Sequence, residues 1–338
     1  MNDTSQRLTA HDLLRRRLVG GALLTGFSSG VLAQSSTPFP NRLVKLIVPY
    51  SPGGPVDNFA RPFAQRLTEV WGQPAIVENK AGASATIGSL LVSRATPDGY
   101  TLLVCNASEI VILPVTSTNL PYDPLEDFSP VTQLLSGPMV LVTPAGSPFT
   151  SLQDLITAAK RRPKVLTYGS VGQGSISHVA GELLNSLAAI QLLHIPYKGA
   201  GPVITDLLGN HIDVAFVGVS VAANLITTGK LRALGVTTTK RSMLFPKVPA
   251  LSEQLPGFEV NSWYGIMAPP ATPKNIIQKV YESVVTVMKQ PDFAEMLRGR
   301  GSEIEASTPE QFSATIKADI ARFAATIKAA GIKPEPIN

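Results

Sequence analysis

Short runs of Val, Ile and Leu alternate along the chain with segments whose apolar residues recur every three or four positions. Leu43–Val48 reads as a buried strand, and 57–71 follows as a helix with Phe59, Phe63, Leu67 and Trp71 on one face. Ala75–Glu78 and Tyr100–Cys105 read as further strands, with a helix near 87–94 between them. Strands are predicted at Met139–Val142, Val165–Tyr168, Leu192–Ile195, Ile212–Val217 and Arg232–Val236, with helices at 152–161, 175–187 and 203–208 between them. Helices at 276–288 and 309–329 close the chain, the second carrying Phe312, Ile316, Ile320, Phe323 and Ile327 on one stripe. Strand alternating with helix predicts an α/β fold with mainly parallel sheet.

Turn-rich sequence at 120–130, Pro256-Gly257 and Pro269-Pro270 suggests two extended segments crossing between lobes. The expected division is a discontinuous first lobe, 38–137 with 262–338, and a second lobe, 138–261. A chain of 338 residues has room for both cores.

The first 33 residues stand apart. Arg15-Arg16-Arg17 precedes the apolar run Leu18–Leu24, and a small-residue region ends at Val31-Leu32-Ala33. Basic region, short apolar region and small-x-Ala site together predict an export signal cleaved after Ala33. The arginine pair leans towards the twin-arginine route. Cleavage would lower the net charge from +5 to +3, because Arg7 and the three arginines leave with Asp3 and Asp12. The only basic triplet left, Lys160-Arg161-Arg162, sits where a helix ends and cations suit the dipole, so nucleic acid is not expected as a partner.

One cysteine, Cys105, and four histidines leave no multi-cysteine metal site and make a metal centre unexpected. No Walker sequence occurs, and Ser177 stands where a dinucleotide fingerprint needs its last glycine, so no cofactor is implied.

Three loops share one design: a strand, a glycine-rich turn, then a helix start. The first is Tyr50-Ser51-Pro52-Gly53-Gly54-Pro55-Val56-Asp57, with Asp57 expected at the helix N-cap and Gly54 expected to keep the main chain accessible. The second runs from Ser170 through Gly172 to Ser175 and His178, and the third is Tyr197-Lys198-Gly199. Such loops lie at the carboxyl ends of strands, where open α/β sheets hold ligands, and helix N-termini there suit an anion. Each alone is equally well an ordinary strand–helix turn. Ser175 with His178, or Ser220 in Gly218-Val219-Ser220-Val221-Ala222, could be taken for hydrolase elements, but neither has a convincing base and orienting carboxylate.

These segments in this order resemble the periplasmic solute-binding receptors of tripartite tricarboxylate transporters, the Bug family. The resemblance rests on 46–57, Val77–Gly82, Pro97–Leu103, the 170–184 segment, Pro196–Gly199, Gly229–Leu234, Val248–Leu251 and Trp263-Tyr264-Gly265, and spans roughly 38–333. It implies a type 2 periplasmic-binding fold closing on a carboxylate, a membrane transporter as partner, no catalysis, and action as a monomer. A ligand sensor feeding a membrane kinase remains a second reading, and a hydrolase a third. Carried over, the resemblance points to Tyr50, Gly53, Gly54 and Asp57 on one side, and to Ser170, Gly172, Ser175, His178, Tyr197, Lys198 and Gly199 on the other. Two departures fall at the expected specificity wall. Cys105-Asn106-Ala107-Ser108-Glu109 replaces a hydroxyl-rich segment, making Asn106 a candidate contact, and Val217 stands where many relatives carry an acidic residue. If Val217 faces the ligand, an acid without an amine is expected, unless Glu109 turns inward and supplies the charge.

Overall fold

The first strand, β1 (Val44–Val48), is apolar on both faces beyond Lys45, and a strand buried on both sides belongs inside a sheet. The computed structural model describes residues 39–329, 331 and 333–337. The proposed export signal lies outside the described residues. In the sheet β1 sits between β2 (Ala75–Asn79) and β3 (Thr101–Asn106), parallel to both, with Val44 opposite Ala75 and Lys45 opposite Thr101. Helices α1 (Pro55–Trp71) and α2 (Thr86–Ser93) make the crossovers. The spacing of four along α1 buries Phe59, Phe63 and Leu67; Phe59 stacks on Phe63 with ring centroids 5.3 Å apart.

Beyond β3 the chain makes a π-turn, Ser108–Ile112, and a short helix, α3 (Leu113–Thr116). It then enters the 16-residue strand β4 (Ser129–Pro144). The turn-like residues Pro130, Gly137 and Pro138 lie inside this strand. Register shifts between Pro130 and Thr132 and between Gln133 and Leu135 mark the irregularities, the setting in which a strand tolerates proline. Up to Pro138, β4 pairs antiparallel with β9 (Asn261–Ala268); from Met139 its partners are β7 (Val214–Gly218) and β8 (Leu231–Val236).

Between β4 and β9 lie α4 (Leu152–Arg161), β5 (Thr167–Ser170), α5 (Ile176–Ala188), β6 (Leu193–Pro196), α6 (Ala200–Leu208) and, between β7 and β8, α7 (Val219–Thr227). β5 runs parallel to β6 and β7. After β9 come α8 (Lys274–Met288), α9 (Pro291–Gly299), β10 (Glu303–Ile304) and α10 (Pro309–Ala329). The strand order is β2-β1-β3-β9-β4-β7-β5-β6, with β8 and β10 pairing to β4 at its side.

The stripe along α10 buries Phe312, Ile316, Phe323 and Ile327, with Ile320 at its margin. Asp319 joins this buried face because its carboxylate accepts from Trp263 Nε1 at 2.9 Å and from Arg322 Nη2 at 2.7 Å. α7 and α9, absent from the sequence expectation, are short and start beside Gly218 and Pro291. Among the described residues no helix is long and apolar enough to cross a membrane.

Candidate functional site

The loop after β1 is built around one carboxylate. Gly54 is the N-cap of α1, with φ −72° and ψ 168°, and Pro55 opens the helix, so Asp57 stands in the first turn and not at the N-cap as expected. Its side chain is almost fully buried. Oδ2 accepts from the Gly53 N–H at 2.9 Å and from Arg61 Nε at 2.9 Å; Oδ1 accepts from Arg61 Nη2 at 2.9 Å and Asn79 Nδ2 at 2.8 Å. Asn79 Nδ2 also donates to the Tyr50 carbonyl at 3.0 Å. Burial works to raise the Asp57 pKa, but Arg61, the Gly53 N–H and Asn79 outweigh it and hold the carboxyl below its ordinary range. Asp57 and the Gly53 amide are therefore spent on shaping the loop.

At the end of β3 the chain turns Glu109 inward. Asn106 Oδ1 accepts from the Ser108 N–H at 2.8 Å, and the Asn106 N–H donates to Glu109 Oε1 at 2.7 Å. Glu109 Oε2 accepts from the Tyr50 hydroxyl at 2.5 Å, and Tyr122 donates to the Glu109 carbonyl at 2.8 Å. Glu109 is 0% exposed, and burial pushes its pKa up to about 7 against the hydrogen bonds that pull it down. Tyr50 and Asn106 are thus joined through Glu109.

The loop after β5 forms a second cluster. Ser170 is fully buried; its Oγ donates to the Gly172 carbonyl at 3.0 Å or to His194 Nε2 at 2.6 Å, and accepts from the Gly172 N–H. Ser175 caps α5, accepting from the His178 N–H and donating to the Gly172 carbonyl at 2.6 Å. His178 Nδ1 accepts from the Gly174 N–H at 3.2 Å, which leaves the ring proton on Nε2. The His178 ring stacks on His194 at 4.1 Å, and Tyr168 covers His194 at 4.9 Å. Burial, then the neighbouring His178, drives the His194 pKa down to about 3, and burial also lowers that of His178. Both rings are neutral at pH 7 and polar without charge.

The third loop is bonded to the second edge to edge: the Tyr197 N–H donates to the Ser170 carbonyl at 3.0 Å and the Gly199 N–H to that of Val171 at 3.2 Å. Tyr197 turns its hydroxyl back onto Asp206 Oδ2 at 2.6 Å, whereas Lys198 is exposed and Gly199 caps α6. The second loop comes up against α3. A Cβ placed on Gly174 would stand 3.5 Å from Thr116 Oγ1 and 3.7 Å from Leu113 Cδ2.

Residues 59–332 match the family described as "Tripartite tricarboxylate transporter family receptor". The chain belongs to this family. A solved R. palustris protein, Rpa4515 with adipate, is 32% identical, with TM-score 0.83 over 88% of this chain and all of that one. The periplasmic binding protein BugD is 34% identical, with TM-score 0.80 over 88% of this chain and 100% of its own. MatC from Rhodopseudomonas palustris, with bound malate, is 29% identical, with TM-score 0.79 over 86% of this chain and 100% of its own. The relatives are solute-binding proteins and not enzymes, and the α/β periplasmic-binding fold implied by the sequence resemblance is the fold observed.

Within this receptor Val217 requires a correction. It is 0% exposed on β7, opposite Val140 on β4, and packs in an apolar cluster with Val203, Leu207 and Ala222. Its side chain faces the core, so it forms no specificity wall and gives no reason to exclude an amine-bearing ligand. The carboxylate beside the first loop is Glu109. The suggested nucleophiles are also accounted for: Ser175 spends its hydroxyl on capping, and Ser220 is exposed in the first turn of α7. A depression of about 250 Å³ lined by Arg42, Lys45, Asp98 and Tyr100 opens at the amino ends of β1 and β3, the edge opposite the loops.

The glycine pair gives a direct test of the first loop. Gly53 has φ +80°, and a Cβ placed there would have nothing within 4 Å, whereas Gly54 has an ordinary φ and only Ser51 O nearby, at 3.3 Å. Gly53→Ala should cost about 1–2 kcal/mol through left-handed backbone strain, and Gly54→Ala less, about 0.5–1 kcal/mol, because alanine is the poorer N-cap. Urea unfolding of the two variants checks the order; equal losses would show that backbone conformation does not distinguish the two positions.

Proposed function

We propose that this receptor is exported to the periplasm, acts as a monomer, and captures a small organic acid bearing at least one carboxylate between two lobes. The acid is then presented to a membrane transporter of the tripartite type. The observation that carries this reading is that polar loop ends lie at the carboxyl edge of the parallel strands. They comprise Tyr50 and Asn106 on one side, and Ser170, Gly172, Ser175, His178, Tyr197 and Gly199 with exposed Lys198 on the other. The N-terminal turns of α5 and α6 start there, and helix N-termini favour anions through their N–H groups and dipole. Adipate and malate in two relatives of similar fold support a dicarboxylate as the first choice.

The division at 137/138 and 261/262 is supported by β4, which exchanges β9 for β7 and β8 after Pro138, and by β9 beginning at Asn261. Two chain segments crossing between lobes, β4 and the stretch that leads into β9, make a hinge, and closure would bring both sets of loops onto one anion.

Thermal unfolding with adipate, malate, succinate, aspartate and benzoate tests the reading. A ligand at a hundredfold over its Kd stabilises the native state by about 2.7 kcal/mol, which is several degrees in Tm. No shift with any of these acids would overturn it. Export is checked separately by N-terminal sequencing of periplasmic protein, which should begin near Gln34; a start at Met1 would remove the signal from the proposal.

A further inference from the structure

Glu109 is a buried carboxylate that the family resemblance gives no role. It sits in a π-turn, a helix irregularity often found at functional sites. Both its oxygens are engaged: Oε1 accepts from the Asn106 N–H at 2.7 Å and Oε2 from the Tyr50 hydroxyl at 2.5 Å. The titratable groups around it are Tyr50 after β1, Cys105 on β3, Tyr122 beyond α3 and Tyr264 on β9. Burial pushes each of them above its ordinary value, so all are neutral at pH 7 and none is basic. Glu109 is therefore the one group of this cluster that changes charge near neutrality, and it does so in direct contact with a candidate ligand residue.

We infer that Glu109 sets the hydrogen-bond polarity of Tyr50 and so couples binding of a carboxylate to uptake of one proton. With Glu109 ionised, the phenolic hydrogen is committed to its carboxylate, and Tyr50 offers only lone pairs beside a buried negative charge. With a solvent proton on Glu109, the acid donates to the phenol oxygen and the Tyr50 O–H is released towards an anion. Glu109 acts as a positioning residue, and its effect rests on the proposed role of Tyr50 in holding the ligand.

The first measurement needs no ligand. Carboxyl ¹³C chemical shifts, compared between wild type and Glu109→Gln, should show Glu109 titrating near pH 7. A raised folded-state pKa also fixes the sign of the stability effect. Stabilisation relative to Glu109→Gln should be largest below the ordinary glutamate pKa and be lost as pH rises through about 7. The second measurement is calorimetry with adipate and malate. If only the protonated form binds, affinity should fall about tenfold from pH 6 to pH 8, with net proton uptake seen as a dependence on buffer ionisation heat. Glu109→Gln, whose amide donates as the protonated acid would, should bind at pH 8 within about twofold of wild type at pH 6. Tyr50→Phe should bind weakly at both pH values and lose the slope.

Titration of Glu109 near neutrality with affinity unchanged from pH 6 to pH 8 would overturn the coupling alone. A carboxyl that titrates below pH 5 would overturn it too. Failure of both acids to bind at pH 6, although Glu109 titrates near 7, would overturn it together with the dicarboxylate reading on which it rests.

Discussion

Gly181→Val should destabilise the receptor by about 3 kcal/mol or more. Gly181 lies on α5 directly over the ring of Tyr168 on β5. A Cβ there would fall 2.0 Å from Cε2, 2.4 Å from Cζ and 2.6 Å from Cδ2 of that ring. The ring has nowhere to withdraw. Tyr168 is 0% exposed, stacks on His194, and donates its hydroxyl to Glu182 Oε1 at 2.6 Å. Overpacking of a closed core costs about 1–3 kcal/mol and sometimes more, and a β-branched side chain facing a fixed ring belongs at or beyond the upper end. Against a typical stability of about 5–15 kcal/mol that loss is severe. Gly181→Ala should be milder but still cost about 2–3 kcal/mol by urea unfolding. The decisive measurement is a double-mutant cycle. Tyr168→Leu removes the ring edge, so Gly181→Ala should cost at least about 1 kcal/mol less in that background. Additive losses would show that the helix and the ring do not crowd each other.

Asp57→Ala should both destabilise the receptor and lower its affinity for any carboxylate it binds by more than tenfold. The substitution leaves the Gly53 N–H and Asn79 Nδ2 without their acceptor, and Asn79 also holds the Tyr50 carbonyl. Stranding partly buried donors costs about 1–3 kcal/mol. Arg61 is half exposed and can turn to water, so the ion pair itself adds little. The larger effect falls on binding, because the 50–54 loop loses the anchor that fixes its position. Asp57→Asn keeps one carbonyl acceptor and should lie between wild type and alanine in both respects. The pH dependence has a definite sign. The folded carboxyl is held below its ordinary value, so its stabilisation is present above the ordinary aspartate range and lost as pH falls through the lower folded value. The advantage of wild type over Asp57→Asn should therefore begin to shrink only below about pH 4 and be gone once the pH is below the folded value. Retained affinity in Asp57→Ala, with a stability loss alone, would separate the loop from the ligand site.

The two central residues of these tests were legible in the sequence to different degrees. Asp57 stood out as a polar residue after a strand and a glycine pair, and the error concerned only its place in the helix. Gly54, not Asp57, occupies the N-cap, because Pro55 is well suited to the first helical position. Gly181 gave no local signal, since a glycine inside a helical pattern explains itself only when the ring beneath it is known.

What the sequence by itself determined is the set of elements whose burial repeats at a fixed local period. α4 and α10 follow their apolar spacing to the residue, and β1, β3 and β8 lie within a residue or so of the expected runs. Periodicity is a property of neighbours in the chain, so it survives without tertiary information. The first ten residues of β4 did not, because Pro130, Gly137 and Pro138 argue for turns until β9 supplies the opposite edge and the irregular register that accepts them. Tertiary structure alone decided the direction of single side chains at strand ends. Val217 and Phe216 face opposite sides of β7 and both are fully buried, because helices and sheet cover each face, so neither side is left for a ligand. The inward turn of Glu109 likewise depends on a hydroxyl 59 residues away. A carboxylate is stable out of water only where distant parts of the chain bring donors to it, and that arrangement has no period to read.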